Sequence, residues 1–174
     1  AEIANIKHHE NAFNDFTVQR LLPNYLSREG PALAVGDINK DGLNDVFLGS
    51  AKGGTSKVFY QTKDGNFQQL SSPAISKDSS GEATASVFFD ADGDGDNDLY
   101  IAYGGYEFAE KVPAFQDKLM INDGKGNFTE NKLPQLLFSK GCVKPGDVDD
   151  DGDLDLFVGG RLIPAKYPLP PPSR

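Results

Sequence analysis

The chain has 174 residues, of which 38% are hydrophobic and 25% charged, and its formal net charge is −9. This composition is typical of a folded globular domain and excludes a disordered chain. No apolar run approaches the roughly 18 residues that a membrane-spanning helix requires, so we expect no membrane span. The acidity also argues against a nucleic-acid partner.

The first 30 residues are predicted to form an N-terminal strand or linker. They begin AEIANIKHHE, which lacks the basic and then apolar pattern of a leader, so any signal peptide is expected to be absent from this chain. His8 and His9 are the only histidines of the sequence and lie in this segment. We expect them to be exposed, because chain termini are seldom fixed by packing.

The first repeat, at about 31–72, contains four predicted strands. The extended stretch PALAVG leads into the acidic nonapeptide DINKDGLND, and the apolar run VFLGS follows. The segment SKVFYQTKDGNFQQL then joins two strands through the turn Asp64-Gly65, which is a hairpin signature. The repeat therefore consists of a strand, an acidic loop, a second strand and a hairpin.

The same order recurs twice along the chain. The second repeat, at about 84–132, has the stretch TASVFF, the acidic nonapeptide DADGDGDND, the apolar run LYIAY and then the hairpin DKLMINDGKGNFTEN. Residues 105–116 of this repeat are predicted to form a helical or irregular insert. The partial third repeat, at about 141–174, has GCVKPG, DVDDDGDLD and LFVGG, followed by a Pro-rich tail. Cys142 lies in this repeat and has no cysteine partner, and we expect it to be buried as a small apolar residue.

These repeats predict an all-β fold. The three nonapeptides begin 53 and then 57 residues apart, and four short strands in about 55 residues are the content of one β-propeller blade. The runs VFLG, LYIA and LFVG are apolar without alternation, as expected for strands that neighbouring blades cover on both faces. We therefore predict a single domain over 1–174, with two full four-stranded antiparallel blades and part of a third.

The acidic residues are concentrated in the three nonapeptides, at 37–45, 90–98 and 147–155. These windows hold 14 of the 26 acidic residues and one basic residue, Lys40. So many like charges destabilise a compact fold unless a cation offsets them. Each window has Asp first, Asp or Asn third, Asp fifth, Gly sixth and Asp ninth. Oxygen atoms from the first, third and fifth positions of a curled loop converge on one point, and such ligands suit Ca²⁺.

The spacing differs from that of an EF-hand, in which a Glu at the twelfth position closes the metal shell between two helices. The twelfth residue here is Leu48, Ile101 or Val158, and each lies in a predicted strand. We therefore expect the ninth-position Asp to close the shell, together with the backbone carbonyl of the seventh position.

The segments GDINKDGLNDVFLGS, FDADGDGDNDLYIAYGG and GDVDDDGDLDLFVGGR resemble FG-GAP/VCBS repeats, the calcium-loop blades that also build the integrin α-subunit propeller. The order of HHENAFNDF, GCVKPGD and GGRLIPAKYP is more narrowly similar to bacterial secreted proteins of the ASPIC/UnbV type, which are similar to cartilage acidic protein. The resemblance implies up to three Ca²⁺ ions and a fragment of a roughly seven-bladed propeller.

The resemblance also implies a ligand set in each loop, in which Leu43, Asp96 and Asp153 contribute backbone carbonyls. The implied ligands are Asp37, Asn39, Asp41, Leu43 and Asp45 in the first loop; Asp90, Asp92, Asp94, Asp96 and Asp98 in the second; and Asp147, Asp149, Asp151, Asp153 and Asp155 in the third. Because Asn39 replaces a carboxylate, the first site is predicted to bind Ca²⁺ more weakly than the others.

No pattern in the sequence indicates an active site. Residues 49–57 resemble a phosphate-binding loop, but Thr55-Ser56 stands where that motif has Lys followed by Ser or Thr. A Ser/His/Asp arrangement has no histidine available outside the N-terminal segment. A carboxylate that binds Ca²⁺ is held ionised and cannot act as a general acid. We therefore expect that the chain is not an enzyme.

Two classes of function remain open. The favoured one is a calcium-stabilised, non-catalytic binding or adhesion module that is extracellular, at the cell surface or periplasmic, and binds a protein or carbohydrate through its propeller loops. The alternative is a propeller segment of a larger secreted or surface enzyme or carbohydrate-processing complex, whose catalytic residues lie outside this chain. In either case the open blade edges are expected to contact further blades or a partner chain.

Overall fold

The computed structural model describes residues 8–28, 30–77 and 79–172. Within these ranges the chain forms ten strands in three antiparallel sheets of four, four and two strands. The predicted all-β class with four-stranded blades is therefore confirmed. No helix of the described ranges is long and apolar enough to cross a membrane.

Blade 1 is the first four-stranded sheet, and its strands are adjacent in chain order. They are β1 (Leu33–Gly36), β2 (Asp45–Leu48), β3 (Lys57–Gln61) and β4 (Phe67–Leu70). The register places Val35 opposite Val46 and Phe47 opposite Val58. The turn between β3 and β4 contains Gly65 at φ +81°, a conformation that residues with a Cβ adopt at a cost.

Blade 2 repeats the same order with longer first and second strands. Its strands are β5 (Glu82–Phe89), β6 (Asp98–Gly104), β7 (Lys118–Asn122) and β8 (Phe128–Asn131). Every residue of β6 is buried, because the neighbouring sheets cover both of its faces, as its unbroken apolar sequence predicts. The third sheet pairs β9 (Ser139–Gly146) with β10 (Asp155–Leu162).

Three segments outside the strands contain short helical turns or irregular structure. A four-residue helix, α1 (Pro73–Ser76), links the blades and was not predicted. The insert at 105–116 is irregular and ends in the 3₁₀ turn Pro113–Phe115. In the N-terminal segment, residues Asp15–Thr17 form a 3₁₀ turn in which Asp15 is buried. The Asp15 carboxylate accepts a hydrogen bond from the backbone N–H of Ser27 at 3.0 Å.

The core lies between the sheets. Alternate residues of blade 1, such as Ala34, Phe47 and Val58, pack against Leu99 and Ile101 of blade 2. The opposite face of blade 2 packs against the third sheet, where the buried cluster includes Phe89, Tyr100, Ala102, Val143 and Val158. Face-to-face packing of successive sheets is the arrangement of propeller blades.

The outer faces of the first and last sheets expose apolar residues. Leu33 and Val35 of β1 are 58% and 55% exposed, and Phe157 of β10 is 53% exposed. Cys142 lies on the same outer face of the third sheet and is exposed, so the prediction that it is buried is wrong. Its strand is buried on the face toward blade 2 alone, because no described element covers the other face.

Candidate metal centre

The three acidic nonapeptides occupy the same position in each sheet, between its first and second strands. Loop 1 (37–45), loop 2 (90–98) and loop 3 (147–155) connect β1 to β2, β5 to β6 and β9 to β10. Each first-position Asp follows the last residue of one strand, and each ninth-position Asp is the first residue of the next strand. The sheets therefore fix both ends of every loop.

The first-position carboxylates curl the loops by accepting hydrogen bonds from the backbone ahead of them. Asp37 accepts from the N–H of Gly42 at 2.8 Å, and Asp90 accepts from the N–H of Gly95 at 3.0 Å. Asp147 accepts from the N–H groups of the fifth and sixth positions of loop 3, at 3.2 and 3.1 Å. Together these bonds hold each loop closed around its first Asp.

The sixth-position glycines adopt backbone conformations that favour glycine. Gly42, Gly95 and Gly152 have φ values of +82°, +81° and +93°, respectively. No heavy atom lies near the place of a Cβ at any of these glycines, so the requirement for glycine is one of backbone conformation rather than of space.

The ninth-position carboxylates join the loops to the sheets. Asp45 is fully buried and accepts from the N–H of Ile38 at 3.0 Å and from that of Gln61, at the end of β3, at 2.8 Å. Asp98 is also fully buried and accepts in the same way from Ala91 at 2.9 Å and from Asn122, at the end of β7, at 2.8 Å. Each of these residues therefore links its loop to the third strand of its blade.

Asp155 differs from its counterparts in loops 1 and 2. It is exposed and accepts one hydrogen bond, from the N–H of Val148 at 3.1 Å. The difference follows from the sheet, since the part of the chain that the structure describes provides no third strand beside β10.

Carboxylate oxygen atoms converge in loops 2 and 3. In loop 2, one oxygen from each of Asp90, Asp92 and Asp98 lies within 4.8 Å of the others. In loop 3, Asp147, Asp149 and Asp151 form an equivalent group. The predicted ligands Asp94 and Asp155 lie outside these two groups.

Loop 1 forms no such group of carboxylates among the described residues. Asn39 stands at the third position, and its amide Nδ2 donates to Asp41 at 3.2 Å while its Oδ1 accepts from the N–H of Asp41 at 3.1 Å. Loop 1 therefore has a neutral amide at the position where the other two loops have a carboxylate.

Burial and like charges act on the ninth-position acids. Burial raises the pKa of Asp98 above its usual value, backbone N–H groups oppose this, and the charges of Asp92 and Asp94 raise it further. The pKa of Asp45 is raised in the same way, with Asp41 and Asp37 as the neighbouring charges. A nearby cation favours the ionised form of both groups.

Sequence reasoning missed the contacts between loops. The ammonium of Lys40, in loop 1, pairs with the carboxylate of Asp96 in loop 2. Asn97 of loop 2 donates to the carbonyl oxygen of Asp37 at 2.8 Å. The one available signal was that Lys40 is the single basic residue in the three acidic windows.

A buried ion pair outside the loops was also missed. Lys140 of β9 is fully buried, and its Nζ lies 3.0 Å from Oδ1 of Asp117, which is 3% exposed. Lys140 also donates to the carbonyl oxygens of Phe115 and Leu136. Asp117 accepts from the hydroxyl of Tyr100 at 2.8 Å. This cluster has its hydrogen bonds satisfied and joins blade 2 to the third sheet, which indicates a structural role.

One of the two N-terminal histidines is less exposed than predicted. His8 Nε2 lies 2.7 Å from the carboxylate of Glu10, and the His8 side chain is 18% exposed. His9 is exposed, as expected. Both line a pocket of about 290 Å³ together with part of the segment 49–57.

Fold and loops together define a class of proteins: β-propeller-type repeats in which an acidic, glycine-containing loop joins the first two strands of each blade. The FG-GAP-like repeat family matches residues 12–101, which is just over half of the chain, and the chain belongs to this family. The match extends from the N-terminal segment through blade 1 into β6. No curated protein matches the chain. The narrower similarity to ASPIC/UnbV-type proteins stays a prediction.

Proposed function

We propose that this chain is a calcium-binding, non-catalytic binding or adhesion module of the FG-GAP type. The observation that carries the proposal is the convergence of three carboxylate oxygens in loop 2 and again in loop 3. Family membership supports it, since the loops occupy equivalent places in successive repeats. A set of oxygen ligands on a flexible loop suits Ca²⁺ better than zinc or copper.

The residues of loops 2 and 3 fit a calcium ion. Asp90, Asp92 and Asp98 would hold it in loop 2, and Asp147, Asp149 and Asp151 in loop 3. Further ligands would come from the fifth-position Asp94 and the ninth-position Asp155, and from the backbone carbonyls of the seventh positions. Loop 1 would bind more weakly, because it has an amide at Asn39 and three carboxylates where loop 2 has five.

When bound, Ca²⁺ would supply two positive charges to loops whose carboxylates otherwise repel one another. The chain contributes the closed loop and the buried ninth-position Asp, which connects the loop to the third strand in blades 1 and 2. The consequence of binding is therefore greater stability of the blade rather than a reaction. A protein or carbohydrate would bind to the loops of the blades, and the module would function outside the cytoplasm, where calcium is about millimolar and loops with dissociation constants of ~10⁻⁴ M are filled.

Thermal unfolding across a calcium titration tests this proposal. If each site binds at ~10⁻⁴ M, about 1 mM Ca²⁺ stabilises the folded state by about 1.4 kcal/mol per site. We expect the melting temperature to rise with calcium and to fall in EDTA. Asp92→Asn should reduce the calcium dependence, whereas Asp64→Asn, in the exposed β3–β4 turn, should leave it unchanged. A melting temperature that is the same in calcium and in EDTA would overturn the proposal.

A further inference from the structure

Loops 1 and 2 contact each other across the junction between blades 1 and 2. Asn97 donates from Nδ2 to the carbonyl oxygen of Asp37 at 2.8 Å. Asn122, at the end of β7, donates from Nδ2 to the carbonyl oxygens of Ile38 at 2.8 Å and of Asn97 at 3.1 Å. Two side chains of blade 2 therefore hold the first two residues of loop 1 in place.

This junction brings a lysine of loop 1 to the carboxylates of loop 2. Lys40 has a left-handed backbone, with φ +58°, and its ammonium pairs with Oδ1 of Asp96. The Lys40 side chain is 56% exposed, whereas that of Asp96 is 9% exposed. The charges of Asp94 and Asp90 also act on the ammonium. Lys40 thus interacts with three acids of loop 2.

The arrangement does not repeat at the next junction. The residue of loop 2 that corresponds to Lys40 is Gly93, and that of loop 3 is Asp150. The counterpart of Asn97 in loop 3 is Leu154, which is 46% exposed and has no amide to donate. The contact between loops 1 and 2 is therefore particular to this pair of blades rather than a feature of the repeat.

We propose that Lys40 acts as a resident cation of loop 2, which stabilises that loop without metal and lowers its affinity for Ca²⁺. The inference rests on the proposed function, since it concerns how strongly one of the calcium loops binds. The physical reason is charge. A positive charge beside Asp96 offsets part of the repulsion in the metal-free loop, and it repels a divalent cation that enters the loop. Loop 2 therefore binds Ca²⁺ less tightly than its five aspartates suggest.

Calorimetric calcium titration of Lys40→Met tests the proposal. The titration uses a chain that also carries Asp41→Asn and Asp151→Asn, which weaken loops 1 and 3, so that loop 2 dominates the binding signal. We expect Lys40→Met to raise the calcium affinity of loop 2 about two- to fivefold at low salt, and the gain to shrink in about 0.5 M salt. In EDTA the same substitution should lower the melting temperature.

Matched variants separate this effect from a general effect of charge. Lys63→Met removes an exposed lysine from the β3–β4 turn, and Asn44→Ala removes the loop 1 counterpart of Asn97. Both are expected to leave the affinity of loop 2 unchanged. Asn97→Ala removes one of the two side-chain hydrogen bonds that hold loop 1 in place, so it should reduce the effect of Lys40→Met. If loop 2 binds calcium with equal affinity in Lys40→Met and Lys63→Met, the inference about Lys40 is overturned, while the proposed function stands. A parent chain that binds no calcium would overturn the proposed function and the inference together.

Discussion

Replacing Lys140 with methionine tests how far the junction between blade 2 and the third sheet depends on one buried ion pair. Methionine keeps most of the volume of the lysine stem but removes the ammonium. Asp117 would then be a fully desolvated carboxylate whose remaining donors are the hydroxyl of Tyr100, at 2.8 Å, and the N–H of Tyr103, at 2.9 Å. The carbonyl oxygens of Phe115 and Leu136 would lose the donor that Lys140 supplies.

The expected loss of stability follows from the burial of both charged groups. Removing one partner of a buried ion pair typically costs about 3–5 kcal/mol, because the other charge stays buried without compensation. Lys140 is 0% and Asp117 3% exposed, so solvent screens neither group. We therefore expect Lys140→Met to lower the free energy of unfolding by about 3–5 kcal/mol, a large part of the ~5–15 kcal/mol that a domain has. The double variant Lys140→Met/Asp117→Asn should lose less, because it leaves no buried charge.

Urea unfolding followed by far-ultraviolet circular dichroism measures these differences. Lys144→Met is the matched control, since Lys144 lies on the same strand but is exposed, and it should change the free energy of unfolding by about 0.5 kcal/mol or less. Burial raises the pKa of Asp117, so the deficit of Lys140→Met should shrink as the pH falls and the carboxyl becomes neutral. A loss below about 1 kcal/mol, as for an exposed pair, would refute the reasoning.

Two further predictions concern Glu82 and Gly95. Burial, and then the charges of Glu10 and Glu107, raise the pKa of Glu82 to about 7. Because this folded-state pKa exceeds that of the unfolded chain, the stability falls as the pH rises from about 4.5 to about 7. Glu82→Gln should therefore stabilise the protein by up to about 3 kcal/mol at about pH 8 but not at about pH 4. Equal melting temperatures for parent and variant at both pH values would contradict this prediction. Gly95→Ala should cost about 1 kcal/mol and weaken calcium binding, because alanine is strained at the φ of +81° that this position has. Gly146→Ala, at a glycine without positive φ and without close neighbours, is the control in the same unfolding and calorimetric measurements.

The strands and loops could be predicted because their signals are local. The hairpin at Asp64-Gly65 and the acidic nonapeptides each lie within fifteen residues or fewer, and their recurrence fixes the four-stranded unit. The unbroken apolar run in β6 correctly indicated burial on both faces. Contacts between blades could not be predicted in this way. Lys40 and Asp96 are 56 residues apart in the sequence, and nothing near either one identifies its partner.

Exposure was the other quantity that the sequence did not determine. Cys142 occupies a position of β9 that corresponds to the half-buried Ala85 of β5, but it is exposed because no described sheet packs on that side. The ninth-position residues show the same effect, since Asp98 is buried and Asp155 is exposed although both begin the second strand of a sheet. The burial of a residue depends on which strands lie beside it, and the sequence of a single repeat does not specify those strands.

The double role of the ninth-position aspartates has a consequence for how such repeats change during evolution. Asp45 and Asp98 accept backbone hydrogen bonds from both the loop and the third strand, so selection for a stable blade retains them whether or not a metal is bound. The first-position Asp closes the loop by accepting hydrogen bonds from the loop backbone, whereas in the described ranges the third and fifth positions make no hydrogen bond to the third strand. A loop without the proposed metal should therefore tolerate changes at the third and fifth positions first, and loop 1 has an amide, Asn39, at its third position. A ninth-position Asp is thus expected wherever the blade is kept, whereas carboxylates at the third and fifth positions are expected only where a loop keeps the proposed metal site.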